Sequence, residues 1–294
     1  MHFQSIRERA AIGAIAPRRQ LAVSGPDRKT FLHGLLTNDI QALQPGTGCY
    51  AAWLSPQGRM LTDMHVLEQD GTILLDVPAE TAGATLQRLD QCLFSEDVRL
   101  ESMADTLTGV WLHGPKAAAV LETVLEEAHG LAGWDDYRHR TLEFQGEPAT
   151  VVRIDQLGVP GYCVYLARGR DAAFVEALER SGAVSVAHQV LEAARIEAGY
   201  PVFGIDMTGD TIPLEAGIEE RAISFTKGCY VGQEVVIRIL HRGHGRVARR
   251  LVKLRPARRV ERGARLHAGD REIGFVTSAA ESPFSGPIAL GYVH

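Results

Sequence analysis

Cysteine is scarce in this chain: Cys49, Cys92, Cys163 and Cys229 are the only four among 294 residues, and no two form a C-x-x-C pair. Spacing this wide excludes a disulfide framework and points to a reducing compartment, the cytoplasm. Long apolar runs are missing too. Nothing approaches the roughly 18 consecutive apolar residues of a membrane span, so no membrane association is expected. Arg7 and Arg9 precede an apolar run from Ala10 to Ala16. The run is too short for a signal peptide and Pro17 stands where cleavage would fall, so a first helix is expected there. Aromatic residues are absent from Arg238 to Arg271, a segment that holds twelve Lys and Arg against Glu261 and Asp270 in a chain of formal net charge −5. A basic end on an acidic body suits a polyanionic partner, and equally a set of solvated strand faces. Without rings to stack bases, any nucleic-acid contact there is largely electrostatic.

What is present is ordinary globular composition, 45% hydrophobic and 23% charged, with length enough for two domains. Asp27 can cap a helix whose Phe31/Leu35 and Leu32/Leu36 pairs share a face, ending at Thr37-Asn38-Asp39. Strand-like runs follow at Tyr50 to Leu54, Met60 to Leu67 and Thr72 to Val77, separated by Ser55-Pro56-Gln57-Gly58 and Asp70-Gly71. Helices are expected over 79–93 and 116–128, with a strand at 110–112 between them. Strands at 150–154 and 162–166, and helices over 171–180 and 186–198, repeat the scheme, the last helix stopped by Gly199. Strand groups alternating with helices twice over predict two α+β halves. From Val247 onward, short runs broken by Gly, Pro and Ser predict a small antiparallel β-barrel or sandwich, with a boundary near Leu240.

Three features can carry chemistry. If Gly199 ends its helix, Glu197 lies in the last turn, where the helix dipole disfavours a carboxylate. Such a residue can grip two adjacent N–H donors of a heterocycle, or form an ion pair. In a strand from Met60, alternation puts Leu61, Asp63, His65 and Leu67 on one face. Buried, Asp63 and His65 can do acid–base work; exposed, they are an ordinary ion pair. Cys229 follows Lys227-Gly228 and precedes a helix start, a setting for a thiolate nucleophile, a redox thiol or a single soft metal ligand, or for a small buried residue. His241 and His244 are flanked by Gly243 and Gly245 with no further ligand nearby, so no metal site is expected.

The stretch Lys227-Gly228-Cys229-Tyr230-Val231-Gly232-Gln233-Glu234 resembles the K-G-C-Y-x-G-Q-E signature of the YgfZ family, folate-binding relatives of the glycine-cleavage T-protein (aminomethyltransferase). Phe31 to Asp39, Ser55 to Arg59, Arg195 to Gly199, Pro213 to Gly217 and Ala289 to Val293 extend the resemblance over nearly the whole chain. It implies an α+β folate-binding region of two ferredoxin-like halves over 1–240, and an antiparallel β-barrel over 241–294. It also implies tetrahydrofolate, or a one-carbon-substituted and polyglutamylated form, held by Glu197, Lys227, Gly228, Tyr230 and Gln233, with Cys229 and Asp63 as catalytic residues. T-proteins carry an Asp-Asp pair where this chain has Thr62 and Asp63, and K-G-D-F-x-G-R-E where it has Cys229, Tyr230 and Gln233. The resemblance implies support of iron–sulfur enzymes, including tRNA-modifying ones, as partners, and leaves direct tRNA contact open. The alternatives are a tetrahydrofolate-dependent aminomethyl or methyl transferase, against which the substitutions argue, and an RNA-binding adaptor, against which the missing aromatic residues argue.

Overall fold

The structure, a computed structural model, describes residues 2–243 and 245–294, so His244 lies outside the described residues. The first part of the chain runs α1 (His2–Glu8), β1 (Ala11–Ile12), β2 (Arg18–Ser24), α2 (Arg28–Leu35), β3 (Thr47–Leu54), β4 (Met60–Gln69), β5 (Thr72–Pro78), α3 (Ala82–Gln91) and β6 (Arg99–Ser102). Asp70-Gly71 closes the β4–β5 hairpin, with Gly71 at φ 83°, the left-handed backbone that a two-residue turn of this type needs. Asp27 stands at the start of α2, but its carboxylate accepts from the Asp97 N–H at 2.8 Å rather than from the helix. The second part runs β7 (Leu107–His113), α4 (Ala117–Val124), β8 (His139–Phe144), β9 (Glu147–Arg153), β10 (Gly161–Ala167), α5 (Asp171–Arg180) and β11 (Val184–Ser185).

One topology is used twice. The first sheet has the order β3-β4-β5-β2-β6 and the second β8-β9-β10-β7-β1-β11, each a ferredoxin-like unit with an additional edge strand. The difference is β1, which the second sheet takes from the N-terminus and seats between β7 and β11. The helix expected over Ala10 to Ala16 is therefore a strand: α1 ends at Glu8, and Ala11 and Ile12 are buried in the sheet interior. A short apolar run does not distinguish a buried strand from a helix by its periodicity.

Each sheet buries one face under its own helices. Met64 and Val66 meet Phe31 and Leu32 of α2, and Val151 and Val164 meet Leu121 of α4 and Phe174 of α5. The other faces meet each other, Leu67 and Leu74 against Trp111, Val152, Cys163 and Tyr165. β4 is thus buried on both faces, so its polar Thr62, Asp63, His65 and Glu68 lie inside along with its apolar residues.

The remaining elements are α6 (His188–Ala198), α7 (Pro213–Ala216), α8 (Glu219–Ala222), α9 (Gln233–His241), β12 (Arg250–Leu254), β13 (Arg265–Ala268), β14 (Arg271–Ser282) and β15 (Gly286–Val293). Gly199 caps α6 in the left-handed conformation, as its position predicts. The C-terminal strands pair antiparallel in the order β12-β15-β14-β13, with register shifts at Leu266/His267 and Val276/Ser278 that bend the sheet. Ile288 and Leu290 of β15 pack with Leu191, Ala194 and Ile196 of α6. Leu240, where the boundary was expected, lies inside α9. No helix among the described residues is long and apolar enough to cross a membrane.

Candidate functional site

Asp63 and His65 leave β4 on the face that meets the second sheet, and both are buried, Asp63 at 4% exposure. The register of β3 sets Tyr50 opposite His65, and the Tyr50 hydroxyl donates to Asp63 Oδ2 at 2.6 Å. Arg18 Nη1 lies 3.5 Å from Asp63 Oδ1, and Oδ1 has no hydrogen-bond partner among the described residues. A cavity of about 300 Å³ opens beside this carboxylate, walled by Arg18, Glu80, Trp111, Gln156, Tyr200 and Phe203.

Burial sets the protonation states around it. Desolvation, with Arg18 and Arg221 adding to it, holds His65 well below the ordinary imidazole value, so its ring is neutral. Desolvation and the Asp63 charge hold the Tyr50 phenol well above its usual value, so it stays a donor. Burial opposes the charge on Arg18, but Asp76 and Asp63 outweigh it and raise the guanidinium pKa. Gln156 Nε2 reaches His65 Nε2 at 3.4 Å and the Tyr200 hydroxyl at 3.5 Å. Gln156 and Tyr200 also line a groove of about 490 Å³ with Asp155, Ala198 and Arg221, so these two side chains partition two openings. Arg221 covers the rings of Tyr200 and Tyr50 at 4.5 and 5.1 Å, a cation–π sandwich that fixes both phenols.

Glu197 is elsewhere. Its Oε2 accepts from Arg7 at 2.8 Å, and its Oε1 from Ser282 at 2.5 Å and Ser285 at 2.8 Å. It lines a separate groove of about 450 Å³ with Phe3, Ile6, Arg7 and Val159. Both oxygens of this carboxylate, expected to anchor a pterin, accept protein donors, and Glu197 does not line the Asp63 cavity. Its cost at the end of α6 is offset by Arg7 and by the two hydroxyls, which outweigh desolvation and lower its pKa.

The cysteine signature forms a third region. Lys227 donates to the carbonyls of His33, Leu36 and Asn38 at 2.5, 2.7 and 3.1 Å, satisfying orphan acceptors at the end of α2, and burial lowers its pKa to about 8. Gly232 stands at φ 85° before α9, where a Cβ would sit 2.5 Å from the Ser55 carbonyl; only glycine lets the helix start so close to the β3–β4 turn. Tyr230 is buried with Leu54, Val236 and Tyr50, Gln233 begins α9, and Gly228 and Cys229 are exposed. None of Lys227, Gly228, Tyr230 and Gln233 lines the Asp63 cavity. Tyr50 connects the two regions, its ring in the Tyr230 cluster and its hydroxyl on Asp63.

Part of the basic segment is structural. Arg249 pairs with Glu215 and covers Tyr292, Arg265 pairs with Glu272, and Arg262 donates to the Gly204 and Ile205 carbonyls. Arg255, Arg258 and Arg259 are exposed, and His241 ends α9. Arg18, Tyr50, Asp76, Gln156 and Tyr200 escape sequence reasoning because strand register and sheet stacking, not spacing along the chain, bring them to Asp63.

Known proteins share this architecture. Residues 2–227 match the model of the GCVT N-terminal domain, and residues 249–294 that of the glycine cleavage T-protein C-terminal barrel domain. The aminomethyltransferase of Streptomyces coelicolor is 28% identical over 298 residues, covering 98% of this chain and 79% of its own. A chloroplastic protein of Arabidopsis thaliana named as a transferase is 27% identical over 93% of this chain, which spans 63% of that protein's length. The crystal structure of the glycine cleavage system aminomethyltransferase T from Bartonella henselae superposes with a TM-score of 0.86 at 26% identity, covering 99% of this chain and 80% of that one. With both domain models matched in order over most of its length, this chain belongs to the aminomethyltransferase-like family of the glycine cleavage T-protein.

Proposed function

We propose that the protein binds a tetrahydrofolate-class cofactor in the Asp63 cavity and presents Cys229 to iron–sulfur enzymes in the cytoplasm, tRNA-modifying ones among them. The unpartnered Asp63 Oδ1 carries the cofactor half of this proposal: a buried acceptor beside aromatic walls suits a flat heterocycle with N–H donors at its edge. Asp63 would accept such an N–H, Tyr50 would hold the second carboxylate oxygen, and Trp111, Tyr200 and Phe203 would cover the ring and exclude water. When bound, the cofactor supplies a one-carbon unit. The exposure of Cys229 favours a partner-facing thiol over one buried in the cavity, in keeping with the YgfZ-like signature. Aminomethyl transfer is the second reading, favoured by the likeness to the Bartonella henselae enzyme and by the Asp63 carboxylate.

Calorimetry with monoglutamyl tetrahydrofolate tests the cofactor. Saturable binding is expected, changed less than about threefold by Glu197→Gln; no saturable binding by the wild type removes the cofactor from the proposal. Glu197→Gln should instead destabilise the protein at neutral pH. Because the folded-state pKa is depressed, the difference from wild type is present above the ordinary value of 4.5 and closes as pH falls through the depressed one. Turnover with a lipoylated carrier would favour the transferase.

The thiol has its own test. Burial pushes Cys49 up to about 12 and also raises Cys92 and Cys163, while Cys229 is the exposed one of the four. Iodoacetamide at pH 7.4 is expected to modify Cys229 at least roughly tenfold faster than the others. Cys229→Ser should retain tetrahydrofolate affinity and abolish support of iron–sulfur enzyme activity in cells. A fully active serine variant would reduce the thiol to a surface residue.

A further inference from the structure

A second carboxylate lies behind Asp63. The pairing of β4, β5 and β2 sets His65 opposite Asp76 and Asp76 opposite Gln20, so all three share the inner face of the first sheet with Asp63. Asp76 is completely buried and does not line the cavity. Its Oδ2 accepts from Arg18 Nε at 2.6 Å, its main-chain carbonyl from Arg18 Nη2 at 2.5 Å, and its Oδ1 from Gln20 Nε2 at 2.7 Å. Arg18 Nη1 is left pointing toward Asp63 Oδ1 at 3.5 Å, within ion-pair range and beyond a good hydrogen bond.

One guanidinium therefore stands between two carboxylates and is committed to the one the ligand cannot reach. The other groups around Asp63 do not fill the gap. Tyr50 on β3 donates to Oδ2, His65 on β4 is neutral, and Gln156 is turned to His65 and the Tyr200 hydroxyl. Glu80 is an acid on the cavity wall, and Arg221 of α8 covers the Tyr50 and Tyr200 rings.

We propose that Asp76 is a positioning residue for the cavity: by anchoring Arg18 through Nε and Nη2 it keeps the guanidinium from closing on Asp63, and so leaves Asp63 Oδ1 free to accept an N–H from a ligand. The restraint on Arg18 is a property of the unliganded chain, and the proposed cofactor supplies only the identity of the ligand. Freed of Asp76, the guanidinium fork would take Asp63 as its carboxylate partner, and a ligand would have to displace a charge-assisted pair.

Asp76→Asn, which keeps size and removes charge, tests this in two ways. In a crystal structure without ligand, an Arg18 Nη atom is expected about 3 Å from Asp63 Oδ1; an unmoved Arg18 overturns the proposal. In calorimetry with monoglutamyl tetrahydrofolate, Asp76→Asn should weaken binding at least about tenfold, and Asp76→Asn combined with Arg18→Gln should return it to within about threefold of wild type, since no cation remains to occupy Asp63. A merely structural role predicts a double variant no tighter than the single one, and that result also overturns the proposal. If asparagine prevents folding, Asp76→Glu, whose longer side chain pushes Arg18 toward Asp63, should weaken binding by roughly threefold or more; wild-type affinity would again overturn it. Should the wild type not bind tetrahydrofolate, the cofactor assignment fails while the unliganded structure still decides where Arg18 lies.

Discussion

Replacing Arg195 with alanine is expected to lower the free energy of unfolding by about 3–5 kcal/mol, the cost of leaving a buried acid without its partner. Arg195 has no exposed surface, and its Nη1 donates to the equally buried Asp206 at 2.5 Å. Its other donors go to Glu192, to the Ser278 hydroxyl at 2.6 Å and to the Tyr200 carbonyl at 3.3 Å. Asp206 would retain three donors, Thr277 at 2.5 Å, Ser278 at 2.7 Å and the Val202 N–H at 3.1 Å, but no cation among them. Urea unfolding measures the loss. Because α6, the 202–206 loop and β14 all meet at this guanidinium, the substitution also loosens the wall that Val202, Phe203 and Ile205 give the Asp63 cavity. Removing both charges, with Arg195→Met and Asp206→Asn together, should cost less than removing Arg195 alone. A single-variant loss below about 1 kcal/mol, the scale of an exposed pair, would show that the network is not the junction its burial implies.

Asp63→Asn is expected to weaken tetrahydrofolate binding by roughly ten- to a hundredfold, the equivalent of losing one charge-assisted hydrogen bond of about 1.5–3 kcal/mol. The amide keeps an oxygen for the Tyr50 hydroxyl, so the fold should persist, while the group facing the cavity becomes a donor or a neutral acceptor. Calorimetry separates this from the effect of Glu80→Gln on the cavity wall, where an exposed carboxylate is mostly screened and a change below about threefold is expected. Equal losses in the two variants would mean that general charge, not the Asp63 oxygen, attracts the ligand.

The regular elements were legible where one chemical signal dominated. The helix expected over 171–180 is α5 with the same ends, and Asp70-Gly71 names its hairpin without help from the rest of the chain. Alternation placed Asp63 and His65 on one face of β4, but it could not say which face was inside, since packing of the second sheet buries both. β2 went unseen, because Arg18-Arg19-Gln20 looks solvated until Asp76 is set against it. Glu197 was correctly singled out as a carboxylate in an adverse place. Its compensation comes from Arg7 and Ser282, 190 and 85 residues away, which no local reading supplies.

The borrowed strand β1 also sets an order of events during synthesis. Ala11 and Ile12 leave the ribosome early, yet their neighbours in the sheet are Leu112 and His113 on one side and Val184 and Ser185 on the other. At about 5–20 residues per second, the second of those edges emerges on the order of ten seconds or more after the strand itself. The first half can close over its own core in that interval, because β2 to β6 pair only with one another. The second half cannot, since β1, the strand between β7 and β11, comes from the opposite end of the chain. A bulky folded tag fused ahead of His2 would be present at this late pairing step, whereas the same tag after His294 would arrive when the pairing partners had already been made.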